Sequence, residues 1–150
     1  MPTFNGILAA HVRTVIAMNS RHEGLAAWRQ SIALAGKVYA ATRQLPSEEP
    51  VGLVTELRRA ALAIPSSIAE GSAGTRRDEF VRCLYTARSA LSRLQTRVVI
   101  AVEQGLIGAD ACPLDEVTKL GRELDCLLRR VRASGLAAHA RACAPPRPER

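Results

Sequence analysis

Hydrophobic residues return along most of this chain at alternating spacings of three and four, the period of a helix with one buried stripe. Four stretches carry the pattern. The first, residues 23–44, places Leu25, Trp28, Ile32, Ala35, Tyr39 and Thr42 on one seam. Leu45-Pro46 ends it, because the residue before a proline avoids helical backbone angles. The second runs from Val51 to Gly71, with Val54, Leu57, Ala61, Ile64 and Ile68 in its stripe. The third and longest, residues 76–103, keeps the rhythm unbroken through Phe80, Leu84, Ala87, Leu91, Leu94, Val98 and Ala101. Thr75 is its expected N-cap, with Gly105 and Gly108 ending it. The fourth begins beside Pro113 and carries Val117, Leu120, Leu124, Leu127 and Val131 to a stop at Gly135.

Four such helices, each about 30–40 Å long at 1.5 Å per residue, joined by short polar loops, predict an all-α fold. The architecture is an up-down-up-down antiparallel four-helix bundle over residues 23–135. Residues 1–22 read as a peripheral extension and residues 136–150 as a flexible basic tail rich in Pro and Arg. Ile7-Leu8-Ala9-Ala10 and Val15-Ile16-Ala17 faintly resemble a secretory core, but no positive charge precedes them, and His11 and Arg13 interrupt them. Met18 is a second candidate start. Leu53, Ile100 and Leu128 fall outside the seams and call for a second apolar surface, hence for self-association.

The organising stretch is Leu57 to Gly71, L-R-R-A-A-L-A-I-P-S-S-I-A-E-G. Pro65 lacks an amide proton, so the helix is expected to bend there, or to stop and restart. Ser67 and Glu70 have capping-box spacing for a restart, and Gly71 suits a helix end. Glu70 near that end faces an unfavourable helix dipole. The capping box, or one of Arg58, Arg59, Arg76 and Arg77, would have to offset it.

This string resembles the signature of the small four-helix-bundle proteins first known as reading frames in intervening sequences of large-subunit ribosomal RNA genes. Their typical run is L-R-R-A-x-x-S-I-P-x-N-I-A-E-G; Ala63 and Ser67 stand here where that pattern has Ser and Asn. W-R-Q-S-I-A-L-A near Trp28, T-R-Q-L-P near Thr42 and F-x-x-C-L-Y-T-A-R-S-A from Phe80 extend the resemblance over residues 25–134. The third helix departs from it, since Arg93 replaces an acid. The resemblance implies a four-helix bundle that assembles as a homopentamer. It also implies an accessory role, because some relatives bind a reverse transcriptase and nucleic acid.

Charge sharpens the picture. The formal net charge is +7, and only Lys37 and Lys119 are lysines. Arginine in excess suits phosphate or carboxylate partners, which its planar fork binds bidentately; a GC-rich genome would also raise the Arg:Lys ratio. The candidate nucleic-acid contacts are Arg58, Arg59, Arg76, Arg77, Arg93 and Arg97. Arg76 and Arg77 stand out because cations at a helix start oppose the dipole. Arg129, Arg130 and Arg132 are expected at the end of the last helix, where the dipole explains Arg129 and Arg130. For each arginine the plain alternative is a solvated face with intrahelical pairs such as Asp78 to Arg82.

No catalytic or metal-binding pattern emerges. His11, His22 and His139 lie outside the expected bundle, no Glu-x-x-His pair occurs, and phosphate-loop and nucleophile-elbow motifs are absent. Cys83, Cys112, Cys126 and Cys143 form no C-x-x-C pair and read as small, reduced hydrophobes. A non-enzymatic, cytoplasmic protein without cofactor or membrane span is therefore expected. Its partners would be itself and RNA or DNA, with a reverse transcriptase implied by the resemblance. A helical protein–protein interaction module that binds no nucleic acid is the alternative.

Overall fold

The computed structural model describes His22, residues 25–43, Leu45 and residues 51–142. Four helices make up the described chain: α1 (Ala26–Arg43), α2 (Val51–Ala73), α3 (Arg77–Glu103) and α4 (Leu114–Ala142). One 3₁₀ turn, Ala109–Ala111, precedes α4. Each helix packs on its two neighbours, α1 on α2 and α4, α3 on α2 and α4, and this closes a four-helix bundle. Cross-helix contacts run in antiparallel register: Arg58 of α2 reaches Thr42 of α1, Arg97 of α3 reaches Glu56 of α2, and Arg88 of α3 reaches Asp125 of α4. No described helix is long and apolar enough to cross a membrane.

The expected seams of α2, α3 and α4 form the core. Leu57, Ala61, Ile64 and Ile68 are fully buried, as are Leu84, Ala87, Leu94 and Val98 of α3 and Leu120 and Leu124 of α4. In α1 the phase is different. The buried residues are Ala27, Ser31, Leu34, Ala35, Val38, Ala41 and Thr42, while Ile32 is 46 % exposed. Large apolar residues stand on two sides of this helix: Leu34 and Val38 join small residues in the buried seam, while Trp28, Ile32 and Tyr39 flank it. The two polar residues in that seam are satisfied locally. The Ser31 hydroxyl donates to the Trp28 carbonyl (2.6 Å) and the Thr42 hydroxyl to the Val38 carbonyl (2.8 Å).

Helix ends differ from expectation more than helix interiors. α2 runs without interruption through the buried Pro65 and past Gly71 to Ala73, so no restart occurs and no capping box forms at Ser67 and Glu70. Gly71 is not a helix stop; it is buried inside the helix. A Cβ there would stand 2.6 Å from the Cys83 Cβ and 2.8 Å from a Phe80 ring carbon. Glycine lets α2 and α3 approach each other closely at that level. The N-cap of α3 is Arg76, without a side-chain cap, rather than Thr75. At the other end of α3 the glycine reading is right: Gly105 has φ +70°, the left-handed conformation that glycine adopts freely. The Leu106 amide donates to the Ala101 carbonyl and the Gly105 amide to the Val102 carbonyl, both 2.9 Å, a Schellman closure.

α4 passes through Gly135 and continues to Ala142, which corrects both the expected stop and the start of the tail. Arg129, Arg130 and Arg132 are therefore mid-helix, and the C-terminal dipole no longer accounts for them. Leu128 is buried, not outward; Leu53 is half-buried and Ile100 is 46 % exposed. The extension before His22, Cys143 and the tail beyond Ala142 lie outside the described residues.

Candidate nucleic-acid interface

Charge along α3 is one-sided. Between Phe80 and Val102 there is no Asp or Glu, and Arg82, Arg88, Arg93 and Arg97 are the only charged residues. The half of α4 that packs against the first part of this run adds Arg129, Arg130 and Arg132, with Asp125 as the single acid between Leu124 and Ser134. The register is set by two contacts. Arg88 Nε lies 3.1 Å from an Asp125 carboxylate oxygen, and Arg132 donates to the Tyr85 hydroxyl at 3.2 Å. Acids gather instead around the α3–α4 connection, at Glu103, Asp110, Asp115 and Glu116. Asp115 and Glu116 there also complement the start of α4. The half holding the α2–α3 turn is thus the more basic one, where Arg76, Arg77, Arg82, Arg88, Arg129, Arg130 and Arg132 outnumber Glu70, Asp78 and Glu79, while cations and acids nearly balance in the other.

The six arginines expected from the sequence do not form one patch. Arg58 is a structural side chain: Nε donates to the Thr42 hydroxyl (2.9 Å) and the guanidinium lies 4.9 Å from the centre of the Tyr39 ring. Arg59 (3.1 Å) and Arg97 (2.7 Å) both bind Glu56, which ties α2 to α3. Arg77 is 3.7 Å from Asp78, and Arg82 pairs with Glu79 (3.9 Å) rather than Asp78. Only Arg76 and Arg93 of the six have no ion pair or hydrogen bond among the described residues, and they sit at different levels of the bundle. Arg76 borders an open cleft of about 370 Å³ with Asp78, Glu79 and Arg82, whose opposed charges leave it nearly neutral.

The sequence reading passed over Arg88, Arg129, Arg130 and Arg132, three of them credited to a helix end that lies farther on. The signal was present, as the acid-free run from Phe80 to Val102. Arg130 lies 3.8 Å from Glu123, while Arg129 is exposed without a partner among the described residues. Ser89, Ser92 and Thr96 line the exposed side of α3 with hydroxyls.

Glu70 behaves differently from expectation. It is exposed and makes no hydrogen bond or ion pair among the described residues, so neither a capping box nor an arginine offsets it. Its charge is felt across the α2–α3 seam at Cys83. Burial pushes that thiol's pKa up, and Glu70 and Glu79 push it further, against a smaller opposite effect of Arg82. Cys83 is therefore held as the thiol, the reverse of what a nucleophilic cysteine needs. Cys83, Cys112 and Cys126 are free and half-buried, and no cluster among the described residues could hold a metal ion.

Comparison with known proteins bears on all of this. The model of one family, the 23S rRNA-intervening sequence protein, matches residues 23–129, which span α1 to α3 and α4 as far as Arg129. No curated protein matches the chain.

Proposed function

The chain belongs to the 23S rRNA-intervening sequence protein family, and we propose that it is a non-enzymatic, oligomeric bundle that binds the phosphate backbone of nucleic acid. The observation that carries this is the acid-free arginine run of α3 beside Arg129, Arg130 and Arg132 of α4. A surface of that kind gathers phosphates through charge and guanidinium hydrogen bonds, without a helix shaped to read base edges. Self-association is part of the proposal. Ile32, Leu62, Val99 and Ile100 are more than a third exposed and lie on three different helices, so burying them takes more than one contact face. Contacts between unlike faces close into rings, and the family resemblance favours a homopentamer. The same resemblance makes a reverse transcriptase the candidate protein partner.

A filter-binding titration against salt tests the proposal. Log affinity should fall linearly with log salt, by about 0.7 per single-strand phosphate contact or 0.9 per duplex contact. Replacing Arg93 and Arg129 together by Ala should flatten that slope by about 1.5 per engaged protomer and leave the melting temperature in place, because neither side chain has a partner among the described residues. A wild-type protein that binds no nucleic acid at low salt ends the proposal. The exposed apolar residues would then favour the second reading, a helical module for another protein, with the charge serving solubility.

A further inference from the structure

We infer that Tyr85 is a base-stacking platform, and that the basic face shared by α3 and α4 therefore takes single-stranded nucleic acid in preference to duplex. This rests on the reading that the face binds nucleic acid at all, and adds to it which form is bound and by which ring. Among the described aromatic residues Tyr85 is singled out by its surroundings. Trp28 is half-buried, with the His22 ring 4.7 Å from its own centre. Tyr39 is half-buried and already has Arg58 over its ring. Phe80 is half-buried beside Gly71. Tyr85 alone is exposed, at 49 % of its surface, and it stands inside the stretch that carries no acid.

The ring is also held in place. Its hydroxyl accepts from Arg132 (3.2 Å), so the polar end is tied to α4 while much of the ring stays open to solvent. Arg88, one residue short of a full turn beyond Tyr85, is in turn tethered to Asp125. A fixed aromatic face flanked by guanidinium groups is what an unpaired base needs: the ring stacks on the base while arginines hold the phosphates on either side. Duplex DNA and RNA keep their bases stacked inside and offer such a ring nothing. They would meet only the charges, which do not distinguish the two forms by chemistry.

The experiment compares the full-length chain with Tyr85→Ala and Tyr85→Phe on two labelled probes, a uridine 20-mer and a 20-base-pair RNA duplex, at one fixed salt concentration. Wild type is expected to favour the single strand. Tyr85→Ala should weaken single-strand binding by about 5- to 100-fold, the usual loss of one base–aromatic stack, and leave duplex binding within about twofold. Tyr85→Phe should retain most single-strand affinity, since the ring remains. Duplex binding doubles as a check on folding, because an unfolded variant would lose both probes. An equal loss on both probes by a Tyr85→Ala protein that keeps the melting temperature of the wild type would mean that Tyr85 only positions Arg132, and would overturn the inference. So would unchanged single-strand binding by Tyr85→Ala. Failure of the wild type to bind either probe would instead remove the proposed function on which the inference stands.

Discussion

The α2–α3 seam and the α1–α4 seam are built from the same kinds of residues but pack in different ways. At the first, Gly71 brings the backbones so near that no added carbon fits, and the Glu56 carboxylate joins Arg59 and Arg97 across the joint. The second is the least extensive of the four contacts between neighbouring helices. Two open clefts lie along it, one of about 390 Å³ bordered by Gln30, Ala33, Glu116, Lys119 and Arg122, the other of about 240 Å³ bordered by Lys37, Ala40, Ala41, Asp110, Ala111 and Cys112. Between them the Lys37–Glu116 ion pair bridges the helices at the surface. Small residues close a gap only where the facing helix also presents its side chains inward. Gly71 meets Cys83 and Phe80, whereas the exposed Ala33 and Ala40 leave open space between α1 and α4. Both seams share the buried core, but the first adds the dispersion of a close backbone fit, while the second adds only a solvent-exposed polar clasp.

The largest effect should come from filling the tight seam. Gly71→Ala gains about 1 kcal/mol of helix propensity but forces a Cβ to within 2.6 Å of another Cβ, an atom fixed to the α3 backbone. Overpacking of this kind costs about 1–3 kcal/mol or more, and a second-methyl variant such as Gly71→Val should cost more than Gly71→Ala. Urea melts followed by circular dichroism would read the loss. Cys83→Gly, which deletes the opposing Cβ, should recover part of it in a double-mutant cycle. A Gly71→Ala protein more stable than wild type by the full helix-propensity gain of about 1 kcal/mol would mean that the two helices part without cost, and the contrast between the seams would vanish.

How much of this was legible beforehand follows from the same physics. The α3 seam was largely readable because Leu84, Leu91, Leu94 and Val98 leave one phase to choose, although Ala90 is buried beside it, Phe80 is only half-buried, and Val99 and Ile100 face outward. In α1 large apolar residues occur in two phases, Leu34 and Val38 in one and Trp28, Ile32 and Tyr39 in the other, so periodicity alone selected Ile32 on the wrong side. Pro65 and Gly71 carry local signals for a break, yet tertiary packing keeps α2 continuous; periodicity cannot see that a facing helix needs the space. For the interface, single arginine pairs were a poor guide, because Arg58 and Arg97 find their partners across helices, while Arg59 is taken up by Glu56 one turn back on its own helix. The better signal was a missing residue type, the absence of acids along α3. From the sequence Tyr85 is only an aromatic near the basic residues of α3 and reads as no base-stacking platform; its exposure and its tie to Arg132 required α4 in place.

The same Gly→Ala change away from the tight seam should have the opposite sign. Around Gly36 on α1 a new Cβ meets nothing within 4 Å, and at Gly121 on α4 the nearest atom, a Leu91 methyl, is 3.7 Å away in ordinary contact. Neither glycine has positive φ. Each substitution should therefore stabilise by about 0.5–1 kcal/mol, the entropy that glycine loses in a helix interior. Thermal melts of the two variants, beside Gly71→Ala, would show three identical substitutions with two signs. If Gly121→Ala destabilises as Gly71→Ala does, close approach is a property of α3 on both sides and not of the α2–α3 seam.

The smallest effect belongs to the polar clasp. The hydrogen bond from Lys37 holds the Glu116 carboxyl below its ordinary pKa, helped by the backbone amide at the start of α4. A carboxyl whose folded pKa is depressed adds stability above its unfolded pKa, near the ordinary value of 4.5, and loses it as pH falls through the lower folded value. The Lys37 side chain is 55 % exposed and that of Glu116 26 % exposed, so solvent and salt screen the pair, and its worth should stay below about 1 kcal/mol. Glu116→Gln should thus cost a few tenths of that at pH 7, and the gap to wild type should close toward pH 3 and shrink in high salt. Urea melts at the two pH values would measure it. A gap that persists unchanged at pH 3 would show that the carboxylate charge is not what Glu116 contributes, and the clasp would drop out of the contrast between the seams.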